Sequence, residues 1–277
     1  MTQQFFILGC GKMGSAMLHG WLAAGAGAHT KFIIIDPYFD KASLGLDDDG
    51  HKAIAAFTSL EAAHAAGYRR ADVMLLSVKP QMMAEALAPI SIIDVTDCCF
   101  ISIAAGLPIA QLASMLGGDY RIIRTMPNTP AAIGKGITAL IGNAAASEAD
   151  LRLAETLLAV IGKVVRVRDE SELDAVTALS GSGPAYVFLL AEAMAQAGEK
   201  LGLSKELAVT LAEQTIYGAG ALMHDSDETA ATLRENVTSK GGTTAAALAI
   251  LMADDALAEL LCDAMRAAHK RAVELGQ

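Results

Sequence analysis

Short apolar runs, several with consecutive hydrophobic positions, punctuate the first part of the chain. They predict strands at Phe5–Leu8, Phe32–Ile35, Val73–Val78, Phe100–Ile103 and Arg121–Thr125, with two more near Ile137–Ile141 and Val164–Val167. Strands apolar on both faces suit a parallel sheet covered by helices on both sides. Helical spacing lies between them, as at Met13–Ala24 and Glu148–Ile161, which gives the β-α-β rhythm of a doubly wound sheet. After Arg168 the strands stop. Val187, Leu190, Met194 and Leu201 recur at helical intervals, as do Leu257, Leu260, Leu261, Ala264, Met265 and Ala268. Polar breaks at Gly202–Ser204 and His224–Asp227 separate these helices. The expected organisation is an α/β domain over residues 1–167 and an all-helical domain over 168–277. The apolar faces of the second are wide for its size, which suits either core packing or a helical dimer interface.

Composition narrows the chemistry. The chain is 53% hydrophobic but only 5% aromatic, so alanine and the aliphatic residues must fill the core. A net charge of −10 without a basic patch argues against nucleic acid as a partner, and Asp47-Asp48-Asp49 reads as a solvated loop. Cys10, Cys98, Cys99 and Cys262 form no C-x-x-C pair and the histidines no i, i+4 pair, so no metal site is expected; Cys98 and Cys99 read as core. No basic-then-apolar leader precedes Phe5. The longest charge-free run, Cys98–Gly118, is interrupted by Ser102, Gly106, Pro108 and Gln111, so a membrane span is not expected and a cytoplasmic protein is.

Phe5 to Gly14 places Gly9-x-Gly11-x-x-Gly14 between a buried strand and a helix, the context that makes this spacing a dinucleotide fingerprint and the first domain Rossmann-type. Gly9 permits the tight turn, Gly11 admits a pyrophosphate and Gly14 lets helix and strand pack closely. Asp36 ends the second strand at the distance where an acid holds a ribose 2′-hydroxyl, which favours NADH over NADPH; Lys12 could offset that charge. Asp36 could equally start a turn with Pro37. Leu75–Pro80, Ile101–Pro108 and Ile123–Pro130 each run from a strand into a loop of small or polar residues and would line one carboxyl edge of the sheet. Ser180-Gly181-Ser182-Gly183-Pro184 precedes a helix, with Pro184 suited to its first turn and Ser182 to its cap. Glu235–Leu248 raises a similar choice: Gly241-Gly242-Thr243-Thr244 is either an ordinary threonine cap or an anion cradle at a helix start.

Asp174–Tyr186 followed by Asn236–Thr244, with Ser77–Pro80, Ala104–Gly106 and Met126–Ala131 in order before them, resembles pyrroline-5-carboxylate reductase over nearly the whole chain. The resemblance implies a Rossmann domain followed by a helical dimerisation domain, a homodimer or larger ring of dimers, and reduction of 1-pyrroline-5-carboxylate to proline with NAD(P)H. It implies that Leu8, Gly9, Cys10, Gly11, Lys12 and Met13 hold the pyrophosphate. Ser77, Val78, Lys79, Pro80 and Ala105 would border the nicotinamide half, and Asn236 would approach the nicotinamide. Glu170, Gly242, Thr243 and Thr244 would hold the substrate, with the Thr244 hydroxyl on the imine nitrogen as the catalytic group. Asp36 stands where many relatives have a small residue that accepts a 2′-phosphate, and Phe57–Ala63 lacks an asparagine that often contacts the adenosine side. A related 3-hydroxyacid dehydrogenase would need a lysine one turn after Gly-Ser-Gly, but none occurs before Lys200. The same two-domain pattern would also suit an imine reductase or a non-catalytic NAD(P)-binding regulator.

Overall fold

The computed structural model describes residues 2–40 and 52–276; the acidic run Asp47–Asp49 lies outside them. By contacts the chain divides into two compact units, residues 1–181 with 269–277, and residues 182–268. The sequence pattern placed a boundary at 167/168. The additional stretch in the first unit includes the short helix α6 (Glu172–Val176), which lies on the sheet.

The first unit is built on strands β1 (Gln3–Leu8), β2 (Thr30–Ile35), β3 (Ile54–Phe57), β4 (Val73–Leu76), β5 (Cys99–Ser102), β6 (Arg121–Met126), β7 (Gly136–Gly142) and β8 (Gly162–Arg166), in the order β3-β2-β1-β4-β5-β6-β7-β8. The first six follow the dinucleotide-binding order and are parallel, so their carboxyl ends share one edge. Two features differ from the expected sheet. Strand β3 carries two central alanines and buries only Ile54, which leaves almost no apolar pattern to read. Strand β7 runs antiparallel to β6, because nine residues containing one tight turn, Thr129–Ile133, are too few for a parallel crossover.

Alternation along β1 explains the two cores. Phe5 and Ile7 point to one face with Trp21, Phe32 and Ile34, while Phe6 and Leu8 point to the other with Met74, Phe100 and Ile122. Trp21 stacks on Phe32 with centroids 5.6 Å apart and donates its indole N–H to Leu157 O at 2.7 Å. Helices α1 (Lys12–Ala23), α2 (Leu60–Ala65), α3 (Met83–Leu87), α4 (Ile109–Leu116) and α5 (Glu148–Leu158) cover the faces.

The second unit is helical: α7 (Gly183–Lys200), α8 (Lys205–Asp225), α9 (Ala230–Asn236), α10 (Thr243–Leu251) and most of α11 (Ala256–Leu275). Gly198 brings α7 and α8 close, since a Cβ there would sit 3.2 Å from that of Ala208. Its buried hydrophobic cluster contains only Ala195, Ala208 and Ala212, while Phe188, Leu189, Tyr217 and Leu260 are more than 60% exposed. The continuous helical run Glu172–Lys200 is apolar and long enough to cross a membrane by length and composition, with 11% of its most apolar window buried.

Ser182 holds the N-cap position of α7 that its sequence suggests, but not with its side chain. A π-helical turn at Thr177–Gly181 joins α6 to α7, and Ser182 makes no side-chain cap bond. Asn128 Nδ2 donates to Ser180 O at 3.1 Å, and a Cβ on Gly181 would run into Met126 Cε.

Candidate functional site

The three glycines after β1 do different work. Gly9 has φ +82°, and a Cβ there would lie 2.9 Å from both the backbone N and Cγ1 of Val78, so no other residue fits. A Cβ on Gly14 would lie 3.0 Å from Gly9 O and 3.2 Å from Ser77 Oγ. At Gly11 nothing lies within 4 Å. Gly9 and Gly14 thus answer to the protein's own packing, whereas Gly11 keeps space open. Gly11 is also the N-cap of α1, which has neither a side-chain cap nor an acidic residue in its first turn. A helix start with unfilled N–H donors and an open approach fits a dinucleotide pyrophosphate.

The rest of the loop is tied down. Cys10 N donates to Asp36 Oδ2 at 2.7 Å, and Ser15 Oγ donates to Cys10 O at 2.8 Å. Burial pushes the Cys10 thiol up to about 11, against the lowering effect of its contact with Ser15. Asp36 Oδ1 also accepts the N–H of Tyr38 at 2.8 Å. Asp36 therefore does start a turn, and its carboxylate still stands at the end of β2 against the glycine loop. Lys12 is exposed at the first position of α1, and Met13 packs on the core. A cavity of about 630 Å³ opens at this edge between Leu8, Ile35, Pro37, Ser59, Val78 and Met82, with Glu61 and Glu85 also on its wall.

Ser77 proves to be a staple. Its hydroxyl donates to Leu8 O at 3.1 Å and to Gly9 O. Val78 lies under Gly9 and lines the cavity, Lys79 is exposed, and Pro80 opens a tight turn, Pro80–Met82. Ala105 is exposed in the loop after β5. Leu8, Gly9, Cys10, Gly11, Lys12, Met13, Asp36, Ser77, Val78, Lys79, Pro80 and Ala105 all follow or adjoin strand ends of the parallel part of the sheet.

Glu170 has protein partners. Its Oε1 accepts the N–H of Ile109 and a guanidinium N–H of Arg124, each at 2.8 Å. Arg124 is 6% exposed, and Asp174 stands 3.9 Å from its other nitrogen. Arg124 lies within the stretch Ile123–Pro130 but carries no role in the sequence reading, although a cation in the middle of the apolar run of β6 is a visible signal: it must find an acid in the interior.

In the second unit, α10 begins at Thr243 with Gly242 as N-cap, and no side chain caps it. The threonines are therefore the first two helical residues and not the cap, and the helix start keeps open donors. Gly241 has φ +73°, and a Cβ on Gly242 would run into Ser239 Oγ. Thr244 is half-buried and Thr243 exposed. Asn236 ends α9 and donates to both carboxylate oxygens of Glu228, at 3.1 and 3.3 Å. The corner between α9 and α10 thus gathers Asn236, Gly242, Thr243 and Thr244.

Comparison with known proteins gives this geometry its context. A family model for pyrroline-5-carboxylate reductase dimerisation matches residues 170–275, and one for NADP oxidoreductases, coenzyme F420-dependent, matches residues 4–106. The first half is accordingly of the NADP-binding oxidoreductase kind. The chain is 39% identical to the pyrroline-5-carboxylate reductase of Haemophilus influenzae, over 97% of this chain and 96% of that one. The solved pyrroline-5-carboxylate reductase of Coxiella burnetii is 33% identical with a TM-score of 0.87 and full coverage of both chains. That of Plasmodium falciparum, solved with NADP bound, is 28% identical with a TM-score of 0.79, covering 99% of this chain and 98% of that one. With this agreement along its whole length, the chain belongs to the pyrroline-5-carboxylate reductase family.

Proposed function

We propose that this chain reduces the ring C=N bond of 1-pyrroline-5-carboxylate with NAD(P)H to give L-proline. The observation that carries this reading is the start of α10, where Gly242 leaves the first N–H groups without a side-chain cap beside the Thr244 hydroxyl. A small ring bearing a carboxylate and an imine needs that pair of features. The N–H groups of Thr243 and Thr244, at the positive end of the helix, hold the carboxylate. The Thr244 hydroxyl bonds the ring nitrogen, and that contact strengthens as the nitrogen gains amine basicity. The imine arrives protonated, so no strong general acid is required.

Bound NAD(P)H supplies the hydride. Leu8–Met13 hold its pyrophosphate, Ser77–Pro80 and Ala105 border its nicotinamide half, and Asn236 approaches the ring. The residues' main contribution is to orient the two reactants. Asp36 supports NADH as the better cofactor: its carboxylate is tied in place by Cys10 and Tyr38, so it accepts from a ribose hydroxyl and repels a 2′-phosphate. The helical unit, with so little buried in one copy, supports a homodimer, which would be the building block of any larger ring. A biosynthetic enzyme of this kind works in the cytoplasm.

The test is loss of reduced-nicotinamide absorbance on mixing purified protein with authentic 1-pyrroline-5-carboxylate, with proline assayed as product. Binding of cofactor without turnover would favour a non-catalytic regulator. Thr244→Ala should lower kcat by about 1–3 kcal/mol of transition-state stabilisation while leaving cofactor affinity alone; unchanged turnover removes Thr244 from the mechanism.

A further inference from the structure

The loop between β5 and α4 is held by chain segments that lie on either side of the helical unit in sequence. Before that unit comes Glu170. Pro108, the residue ahead of α4, offers no side-chain cap, so Glu170 caps the helix from 61 residues away by accepting the Ile109 N–H. Arg124 fixes the carboxylate in that position. After the unit comes the C-terminal turn. Gly106 has φ +69°, and a Cβ on it would lie 3.0 Å from Leu275 Cβ and 3.3 Å from Leu275 O. Gln111 Nε2 donates to Gly276 O at 3.1 Å. From below, Thr125 Oγ1 donates to Ser102 O at 2.9 Å, and Ser102 Oγ accepts from Ala104 N at 3.3 Å. The loop Ala104–Pro108 is thus held on three sides, and Ala105 is its one exposed residue.

We infer that Glu170 and Gln111 are positioning residues for the reduction, which hold Ala104–Pro108 as a fixed wall beside the nicotinamide site, and that Glu170 does not itself bind substrate. The inference rests on the proposed function, in which Ala105 borders the nicotinamide. A substrate contact has no need of a buried arginine and a helix N–H on the same oxygen. A side chain so engaged acts through what it holds. Two separate tethers converge on α4 and the loop before it, one on Ile109 and one through Gln111, and they share no residue, so they can be cut independently.

The experiment compares the parent with Glu170→Ala, Glu170→Gln and Gln111→Leu in the full chain. In cofactor-free protein, amide hydrogen exchange across residues 104–112 should quicken about fivefold or more in Glu170→Ala and in Gln111→Leu. Glu170→Gln keeps an acceptor for Ile109 and should recover most of the protection. In turnover, kcat should fall about fivefold or more in the first and third variants, with KM for substrate within about twofold. The isotope effect from cofactor deuterated at C4 should rise, which mere loss of folded protein would not produce. A KM raised about fivefold or more by Glu170→Ala, with exchange unchanged, overturns the inference and makes Glu170 a substrate contact. Unchanged exchange in both Glu170→Ala and Gln111→Leu overturns it whatever the kinetics. A parent without turnover defeats the reductase reading instead, and is told apart because the exchange measurement needs neither cofactor nor substrate.

Discussion

Gly9 and Gly11 lie two residues apart and should fail in different ways when changed to alanine. At Gly9 the backbone is left-handed and a Cβ would press on Val78. Gly9→Ala should therefore cost roughly 2–4 kcal/mol of stability from conformation and overpacking together, visible as a lowered Tm. At Gly11 a Cβ meets nothing in the protein. Gly11→Ala should melt like the parent yet bind cofactor about tenfold more weakly or worse, about 1.4 kcal/mol, because the methyl takes the room kept for the pyrophosphate. Equal losses of Tm in the two variants would show that the open space at Gly11 has no ligand to serve. Asp36 allows a similarly sharp test, since its charge and its two backbone contacts can be separated. Asp36→Asn keeps an acceptor for one of those N–H groups and removes the charge. NADPH efficiency should rise and NADH efficiency should fall, shifting the ratio of kcat/KM values by about tenfold. A parent that already prefers NADPH, or a ratio that stays put, would remove Asp36 from cofactor choice.

At the scale of elements, the start of α10 makes the same kind of distinction for the substrate. Thr243 is the first helical residue, and proline is well suited to that position. The preceding Gly242 has φ −78° and ψ 173°, the extended conformation that a following proline requires. Thr243→Pro should therefore preserve the helix and remove one N–H from the proposed carboxylate cradle. KM for 1-pyrroline-5-carboxylate should rise about tenfold or more, since a hydrogen bond to a charged group contributes about 1.5–3 kcal/mol. Unchanged KM with unchanged circular dichroism would mean that this N–H does not hold the anion. The helix start and the glycine turn after β1 were both legible in the sequence because glycine spacing at a strand–helix or helix–helix junction is a local signal. What escaped was non-local. The short edge strand β3 exists through its pairing with β2 and has little pattern of its own. The reversed direction of β7 is a property of the connection and leaves no mark on the strand. The hydroxyls of Ser77 and the threonines at 243 and 244 were legible as polar groups near a site, but which of them serves the protein's own backbone depends on residues far along the chain. Glu170 is the clearest case: family resemblance marked its position, and only the fold supplied Arg124 and Ile109 as its partners.

The whole molecule raises a problem that one copy does not solve. The helical unit buries three alanines in its cluster and leaves Phe188 62%, Leu189 64%, Tyr217 63% and Leu260 67% exposed. Val187, Phe188, Ala191, Val209, Ile216 and Tyr217 line a groove of about 560 Å³ between α7 and α8. An apolar face this extensive, on a unit with so small a core, is characteristic of surfaces covered by another chain. The matched dimerisation family over residues 170–275 agrees with a second copy as that cover. The glycine turn and the cavity beside Asp36 lie wholly within residues 1–181 and need no such cover. Assembly and cofactor binding should therefore separate. Phe188→Glu would bring a third carboxylate into a groove that already carries Glu192 and Glu213, and burying it against a partner without a counter-charge is strongly unfavourable. The variant should sediment as a monomer at micromolar concentration, bind cofactor within about twofold of the parent, and lose turnover by about tenfold or more. Phe188→Leu keeps the apolar surface and should remain assembled and active, which ties the effect to charge and not to the loss of the ring. If Phe188→Glu stays dimeric with full turnover, the groove is not the pairing surface, and the exposed face of α7 and α8 must be explained by some other contact.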